Sequence, residues 1–209
     1  MKKKAVFITV EGLEGSGKSS VIAFLQKYFK RKKISVKVFR DPGSTRTGEM
    51  IRDILLANKN KISAYTELLL YLAARTQLIE EKLQPAFAKY QVVICDRFYD
   101  STIAYQGYGL GLAEAEPAAR NFSLGVVPDL TILLESQVKR SLSRISSKDR
   151  IESRPYSFHN RLKKGFASLA EKEPGRIKVI PADTDLDSIF GLVAETMEKY
   201  LKQWKIIRK

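Results

Sequence analysis

The stretch "AVFITVEGLEGSGKSS" (residues 5–20) decides the fold. An apolar run, "AVFITV", reads as a buried strand and passes directly into a glycine-rich loop. Within that loop, Gly12, Leu13, Glu14, Gly15, Ser16, Gly17, Lys18 and Ser19 fit G-x-x-x-x-G-K-[ST] in full. Glycines let the backbone curl so that successive N–H groups point at one anion. Lys18 adds a point charge for the β and γ phosphates, and the Ser19 hydroxyl suits Mg²⁺. A helix opening at Lys18, with Ser19 and Ser20 in its first turn, turns its positive end to the same anion. With average composition, a chance match in a chain of this length is on the order of one per cent. The expected ligand is ATP or GTP. A guanine-reading N-K-x-D is missing, since "NKNK" (58–61) lacks the aspartate and follows no strand.

Working outward, apolar β-rich runs recur at 34–39, 91–95, 129–134 and 176–180. Helical patterns fall at about 18–31, 46–57, 65–89, 100–107, 113–124, 136–145, 155–172 and 185–204. Strands separated by helices predict an α/β fold of the P-loop NTPase type, a five-stranded parallel sheet with helices on both faces. No repeat or long linker interrupts the chain, so residues 1–209 read as one domain. The polar segment 146–155, "SSKDRIESRP", reads as a mobile surface loop.

The totals narrow the class. The chain has 209 residues, 44% hydrophobic, with charged residues interspersed, as in a globular protein. No stretch approaches 18 consecutive apolar residues, so no membrane span is expected. One cysteine, Cys95, fits a reducing compartment, and cytoplasmic residence is the expectation. The net charge of +14 leaves three partner classes open: nucleic acid, a membrane surface, or highly anionic small molecules. The lysine clusters at 27–33 and 202–209 lack a recognised nucleic-acid motif and read as solvated surface, so neither nucleic acid nor membrane is expected as a partner. Cys95 reads as inert packing and His159 as an exposed helix residue.

"VVICDRF" ends the third strand on Asp96-Arg97. Ligands of doubly wound sheets sit at the carboxyl ends of strands. Asp96 is therefore expected near Lys18, able to hold Mg²⁺ or orient an attacking oxygen. The adjacent arginine suggests a second phosphate to be clamped. An Asp–Arg pair capping the next helix is the alternative.

At this point the chain resembles the thymidylate kinases, and over essentially its whole length. Besides the phosphate loop, the resemblance rests on "FRDPGST" (39–45), "EMIRDILL" (49–56), "LLYLAARTQ" (69–77), "CDRFYDSTIAYQG" (95–107), "PDLTILLE" (128–135) and "DRIE" (149–152). It implies transfer of the ATP γ-phosphoryl group to dTMP with Mg²⁺, giving dTDP for dTTP biosynthesis, in a homodimer.

The resemblance also implies residue roles. Tyr71 and Arg75, at i and i+4, would stack on the pyrimidine and bond its O4. The family usually has phenylalanine where Tyr71 stands. Ser101 with Tyr105, and Thr102 with Gln106, form further i, i+4 pairs. Thr102 and Gln106 would bond the thymine edge, and Tyr105 would crowd out a 2′-hydroxyl. Arg40, Arg52 and Arg97 would converge on the dTMP phosphate, for which the guanidinium fork is suited. Asp41 replaces the family's glutamate, and Glu14 would meet the 3′-hydroxyl region. Some family members carry a transition-state arginine in the phosphate loop, where this chain has Gly15. Bacterial-type members use a lid instead, here 139–154, in which Arg150 is the first candidate and Arg144 the second for ATP contact. The expected catalytic set is Lys18, Asp96, Arg97 and Arg150, with Ser19 and Asp96 at the metal. A deoxynucleoside kinase, a DNA-dependent ATP-binding protein and an inactive family member stay open as alternatives.

Overall fold

A computed structural model describes residues 5–204. The last part of the basic tail read at 202–209, from residue 205 on, and the first four residues lie outside it. Five parallel strands form one sheet: β1 (Val6–Gly12), β2 (Val36–Arg40), β3 (Val92–Asp96), β4 (Leu130–Glu135) and β5 (Ile177–Pro181), in the order β2-β3-β1-β4-β5. Each lies within two residues of its expected position. Alternation along β1 sends Phe7 to one face and Ile8 to the other, and both are fully buried. Two cores follow from that alternation. One holds Phe7, Val93, Phe98, Leu133 and Leu162; the other holds Ile8, Leu25, Phe29, Ile94, Val193 and Met197. A sheet covered on both faces explains why its strands read as near-continuous apolar runs.

The helices among the described residues are α1 (Lys18–Arg31), α2 (Arg46–Leu56), α3 (Ala64–Leu78), α4 (Gln84–Lys89), α5 (Tyr99–Thr102), α6 (Ala115–Asn121), α7 (Val138–Ser143), α8 (Tyr156–Lys172) and α9 (Leu186–Gln203). None is long and apolar enough to cross a membrane. Ordinary caps start several of them: Thr45 accepts from Gly48 N, Ser63 from Thr66 N and Asp185 from Ser188 N. Two expected helices differ in kind. The 65–89 pattern is α3 and α4 joined by a π-helical stretch, Ile79–Leu83. The 100–107 pattern is α5 continued by a longer one, Ile103–Gly109. Hydrogen bonding from i to i+5 leaves no trace in hydrophobic periodicity over so few residues, and such stretches are frequent at functional sites.

His159 corrects an expectation. It is fully buried, because the α8 face that carries it packs inward, with its ring edge-on to Phe158 at 5.4 Å. Burial lowers its pKa. Cys95 is buried in β3 as read, and burial raises its thiol pKa.

Candidate active site

Strand register assembles the site. Parallel pairing sets Arg40 opposite Asp96, and Asp96 opposite Val10, at the carboxyl edge of β2, β3 and β1. The chain leaves β1 there into the phosphate loop, and leaves β3 into Arg97. A groove of about 240 Å³ runs from Lys18 and Ser19 at one end to Thr102 and Gln106 at the other.

The phosphate-loop end is built from backbone. Gly12 has φ 139° and Gly15 φ 72°, a region that L side chains rarely adopt. Space excludes a side chain as firmly as φ does. A Cβ on Gly15 would lie 2.1 Å from Ser141 O of α7, and one on Gly12 would lie 2.6 Å from Leu134 O. This is why no loop-borne arginine can stand at residue 15. Lys18 Nζ donates to Leu13 O at 2.8 Å and Gly12 O at 3.2 Å, folded over the loop. Burial, then Arg97, lowers its pKa to about 8.

Arg97 holds the middle of the groove. Its φ of 67° turns it back over β1. Nη1 donates to Gly12 O and to Ser101 Oγ, and Nη2 donates to Glu14 Oε1, each at 3.0 Å. Its guanidinium also lies 5.1 Å from the centre of the Tyr105 ring. Tyr105 OH donates to Glu14 Oε1 at 2.5 Å. Burial alone would raise the Glu14 pKa, but Arg97 and Lys18 outweigh it and hold the carboxyl low. Glu14 Oε2 is buried without a partner. Arg40 and Arg52 line the same groove, so the three expected arginines are brought together. Arg40 is paired with Glu49 at 2.8 Å, and Arg52 Nη1 donates to Pro42 O at 3.3 Å.

The far end is built from side chains. Arg75, fully buried, donates Nε to Asp41 Oδ2 and Nη2 to Thr102 Oγ1, both at 2.7 Å. Asp41 therefore fixes the plane of Arg75, and burial raises its pKa despite that partner. Gln106 donates Nε2 to Glu67 Oε1 at 2.9 Å. Three buried atoms at this end are left without partners: Asp41 Oδ1, an acceptor on the brace of Arg75; Arg75 Nη1, a donor; and Gln106 Oε1, an acceptor. Tyr71 lines the groove beside them.

Sequence reading missed Glu11, Glu49 and Glu67. Glu11 Oε2 accepts from Ser101 Oγ at 2.6 Å and Oε1 from Phe98 N at 2.8 Å, which seats the turn after β3. Burial and Asp100 push its pKa up to about 7. A glutamate closing an otherwise apolar strand was the available signal. For Glu67 the signal was spacing, because Glu67, Tyr71 and Arg75 stand four apart on one stripe of α3.

The lid differs from expectation. Segment 146–155 is irregular, as read, yet it is pinned rather than loose. Ile151 is buried, Arg150 N donates to Leu56 O, and Asp149 Oδ1 accepts from the backbone of Ile151 and Glu152. Arg150, the first candidate for the phosphoryl group, turns instead to Glu67 Oε2 (2.6 Å) and Leu55 O (2.6 Å). A buried carboxylate attracts the guanidinium more strongly than the solvent-facing side of the lid. Arg144 is the lid arginine on the phosphate loop, donating to Gly15 O at 3.2 Å.

Ser19 and Asp96 both line the groove, and Asp96 Oδ1 is buried without a partner. Among the described residues no group of three His, Cys, Asp or Glu converges as a dedicated metal cage. One hydroxyl and one free carboxylate oxygen suit Mg²⁺, which usually takes few protein ligands and completes its shell with water and substrate phosphates.

A model of the thymidylate kinase family matches residues 10–190. The thymidylate kinase of Caldanaerobacter subterraneus subsp. tengcongensis is 37% identical over 204 residues, 96% of this chain and 98% of that relative. That of Clostridium novyi is 40% identical over 208 residues, 95% of this chain and 99% of the relative. The crystal structure of thymidylate kinase from Ehrlichia chaffeensis matches with a TM-score of 0.75 at 30% identity, covering 93% of this chain and 98% of the other. On sequence, fold and the extent of both matches, the chain belongs to the thymidylate kinase family.

Proposed function

We propose that this chain phosphorylates dTMP to dTDP with the γ-phosphoryl group of ATP, and that the groove holds the two nucleotides end to end. The observation that carries the base assignment is the unpartnered pair, Arg75 Nη1 and Gln106 Oε1. A buried donor beside a buried acceptor matches thymine O4 and N3–H. Cytosine would set a donor against the donor and an acceptor against the acceptor, a mismatch that a polar site rejects strongly. Tyr71 offers the stacking face. Glu14 Oε2, also unpartnered, accepts the 3′-hydroxyl. Tyr105, held on Glu14, fills the space a 2′-hydroxyl would need.

Arg97, Arg52 and Arg40 gather the dTMP phosphate, and Lys18 with the loop amides gathers the ATP phosphates. A dTMP phosphate oxygen attacks the γ-phosphorus in line; the new P–O bond forms as the bond to the β-phosphate oxygen breaks, and ADP leaves. Alignment and charge neutralisation do most of the catalytic work. Ser19 and Asp96 would hold Mg²⁺, which would supply charge neutralisation during the transfer. Arg144, which donates to Gly15 O, would meet the transferred phosphoryl group, and Arg150, on Glu67, would anchor the lid. Residues 1–209 act as one kinase domain with a lid at about 139–154. The exposed apolar side chains Met50 and Ile54 of α2, with Tyr65 and Leu69 of α3, support a homodimer through that face. A single buried cysteine suits cytoplasmic residence.

A coupled ADP-release assay tests the reading with thymidine and each nucleoside monophosphate as acceptor. dTMP should be the best acceptor and thymidine inert. Activity on thymidine without dTMP would assign a deoxynucleoside kinase instead.

A further inference from the structure

We propose that Glu67 is a specificity-setting positioning residue: it fixes which end of the Gln106 amide faces the base, and it ties that choice to the docked lid. The proposal rests on the dTMP reading above.

A glutamine side chain has two ends of nearly equal shape and opposite hydrogen-bonding character. Packing alone cannot choose between them. In this molecule the choice is made by Glu67, which is fully buried on α3. Its Oε1 lies 2.9 Å from Gln106 Nε2. A carboxylate accepts and does not donate, so the amide must give its N–H to Glu67 and leave its oxygen toward the groove. That oxygen is the buried, unpartnered acceptor which matches N3–H of thymine. Reversing the amide would set an NH2 group there, which matches N3 of cytosine.

Glu67 in turn is held by the lid. Its Oε2 accepts from Arg150 Nη2 and Arg154 Nη2, both at 2.6 Å, across 83 and 87 residues of chain. Two guanidinium groups on one oxygen fix the plane of the side chain. Arg154 is anchored further by the Phe158 ring, 4.5 Å from its guanidinium carbon. One carboxylate thus joins three elements: α3, the π-helical stretch that carries Gln106, and the lid. The lid arginines reach base selection without touching the base.

The test compares kcat/KM for dTMP, dUMP and dCMP, with ATP saturating, in wild type, Glu67→Gln and Arg154→Gln. A glutamine at 67 can donate to Gln106 and free its amide to reverse. The dTMP-to-dCMP ratio should narrow tenfold or more in Glu67→Gln, with most of the change in KM. Arg75 still opposes the cytosine amino group, so the preference narrows without inverting. Arg154→Gln leaves the buried carboxylate in place and should narrow the ratio about threefold. The dTMP-to-dUMP ratio should hold in both, since the two bases share the edge that Gln106 reads. A merely structural role for Glu67 would lower all three substrates together. An unchanged dTMP-to-dCMP ratio in either soluble variant overturns the proposal. If Glu67→Gln does not fold, Arg154→Gln alone decides. Failure of the wild type to prefer dTMP would instead overturn the functional reading, and it is seen without any variant.

Discussion

The two ends of the groove are built on different principles. At the phosphate loop, the proposed recognition is carried by backbone: Gly12 and Gly15 at positive φ, loop amides, and a lysine folded on loop carbonyls. At the nucleoside end it is carried by side chains tied to one another across long sequence separations, 34 residues for Arg75 to Asp41 and 39 for Gln106 to Glu67. The first kind of site needs a local motif, because a phosphate asks only for converging N–H groups and positive charge. The second needs a whole network, because a base is told from its neighbours by donor and acceptor placement. Arg97 bridges the two, bonded to Gly12 O on one side and to Ser101 on the other.

That contrast can be broken most forcefully at the bridge. Arg97→Ala should lower kcat by about a thousandfold or more, while the far-UV circular dichroism spectrum keeps its helical form. A loss under tenfold would remove Arg97 from the phosphate clamp. Gly15→Ala probes the backbone-built end. A single methyl group meets Ser141 O and an unfavourable φ, so KM for ATP should rise at least about tenfold while the affinity for dTMP changes little.

Glu11 probes the seat beneath the bridge through pH. Its folded pKa of about 7 stands above the ordinary 4.5, because burial and Asp100 outweigh Arg97 and the bonds from Ser101 and Phe98 N. The native state therefore binds this proton more tightly than the unfolded chain does. The contribution is fully present below about pH 4.5 and is lost as pH rises through about 7. A shift of that size carries about 3 kcal/mol. Urea unfolding at pH 5 and pH 8 should show wild type losing more stability over that interval than Glu11→Gln. Equal losses would contradict the buried, protonatable carboxyl. The smallest effect is expected at Tyr71→Phe, which keeps the stacking face: kcat/KM for dTMP should stay within about threefold. A hundredfold loss would mean that the hydroxyl, not the ring, does the recognising.

Legibility followed the same divide. The strands, the phosphate loop and Asp96-Arg97 could be read because each announces itself within a few residues, by apolar runs or by glycine spacing. The arginines proposed for the second phosphate could be named through the family's motifs, though their partners could not. Asp41 as the brace of Arg75, Glu49 on Arg40 and Glu67 on the lid arginines depend on folding that brings distant segments together. The π-helical turn after Thr102 left no periodic signature. Both Arg150 and Arg144 were expected toward ATP, Arg150 first; a basic loop carries several arginines, and only the location of Glu67 decides that Arg150 is the one that turns inward.

A crystal structure of the protein with dTMP bound is the decisive measurement. The thymine edge should lie on Arg75 Nη1 and Gln106 Oε1, its ring against Tyr71, and the phosphate at Arg97, pointing toward Lys18. A base turned away from Arg75 and Gln106, or a phosphate seated away from Arg97, would contradict it.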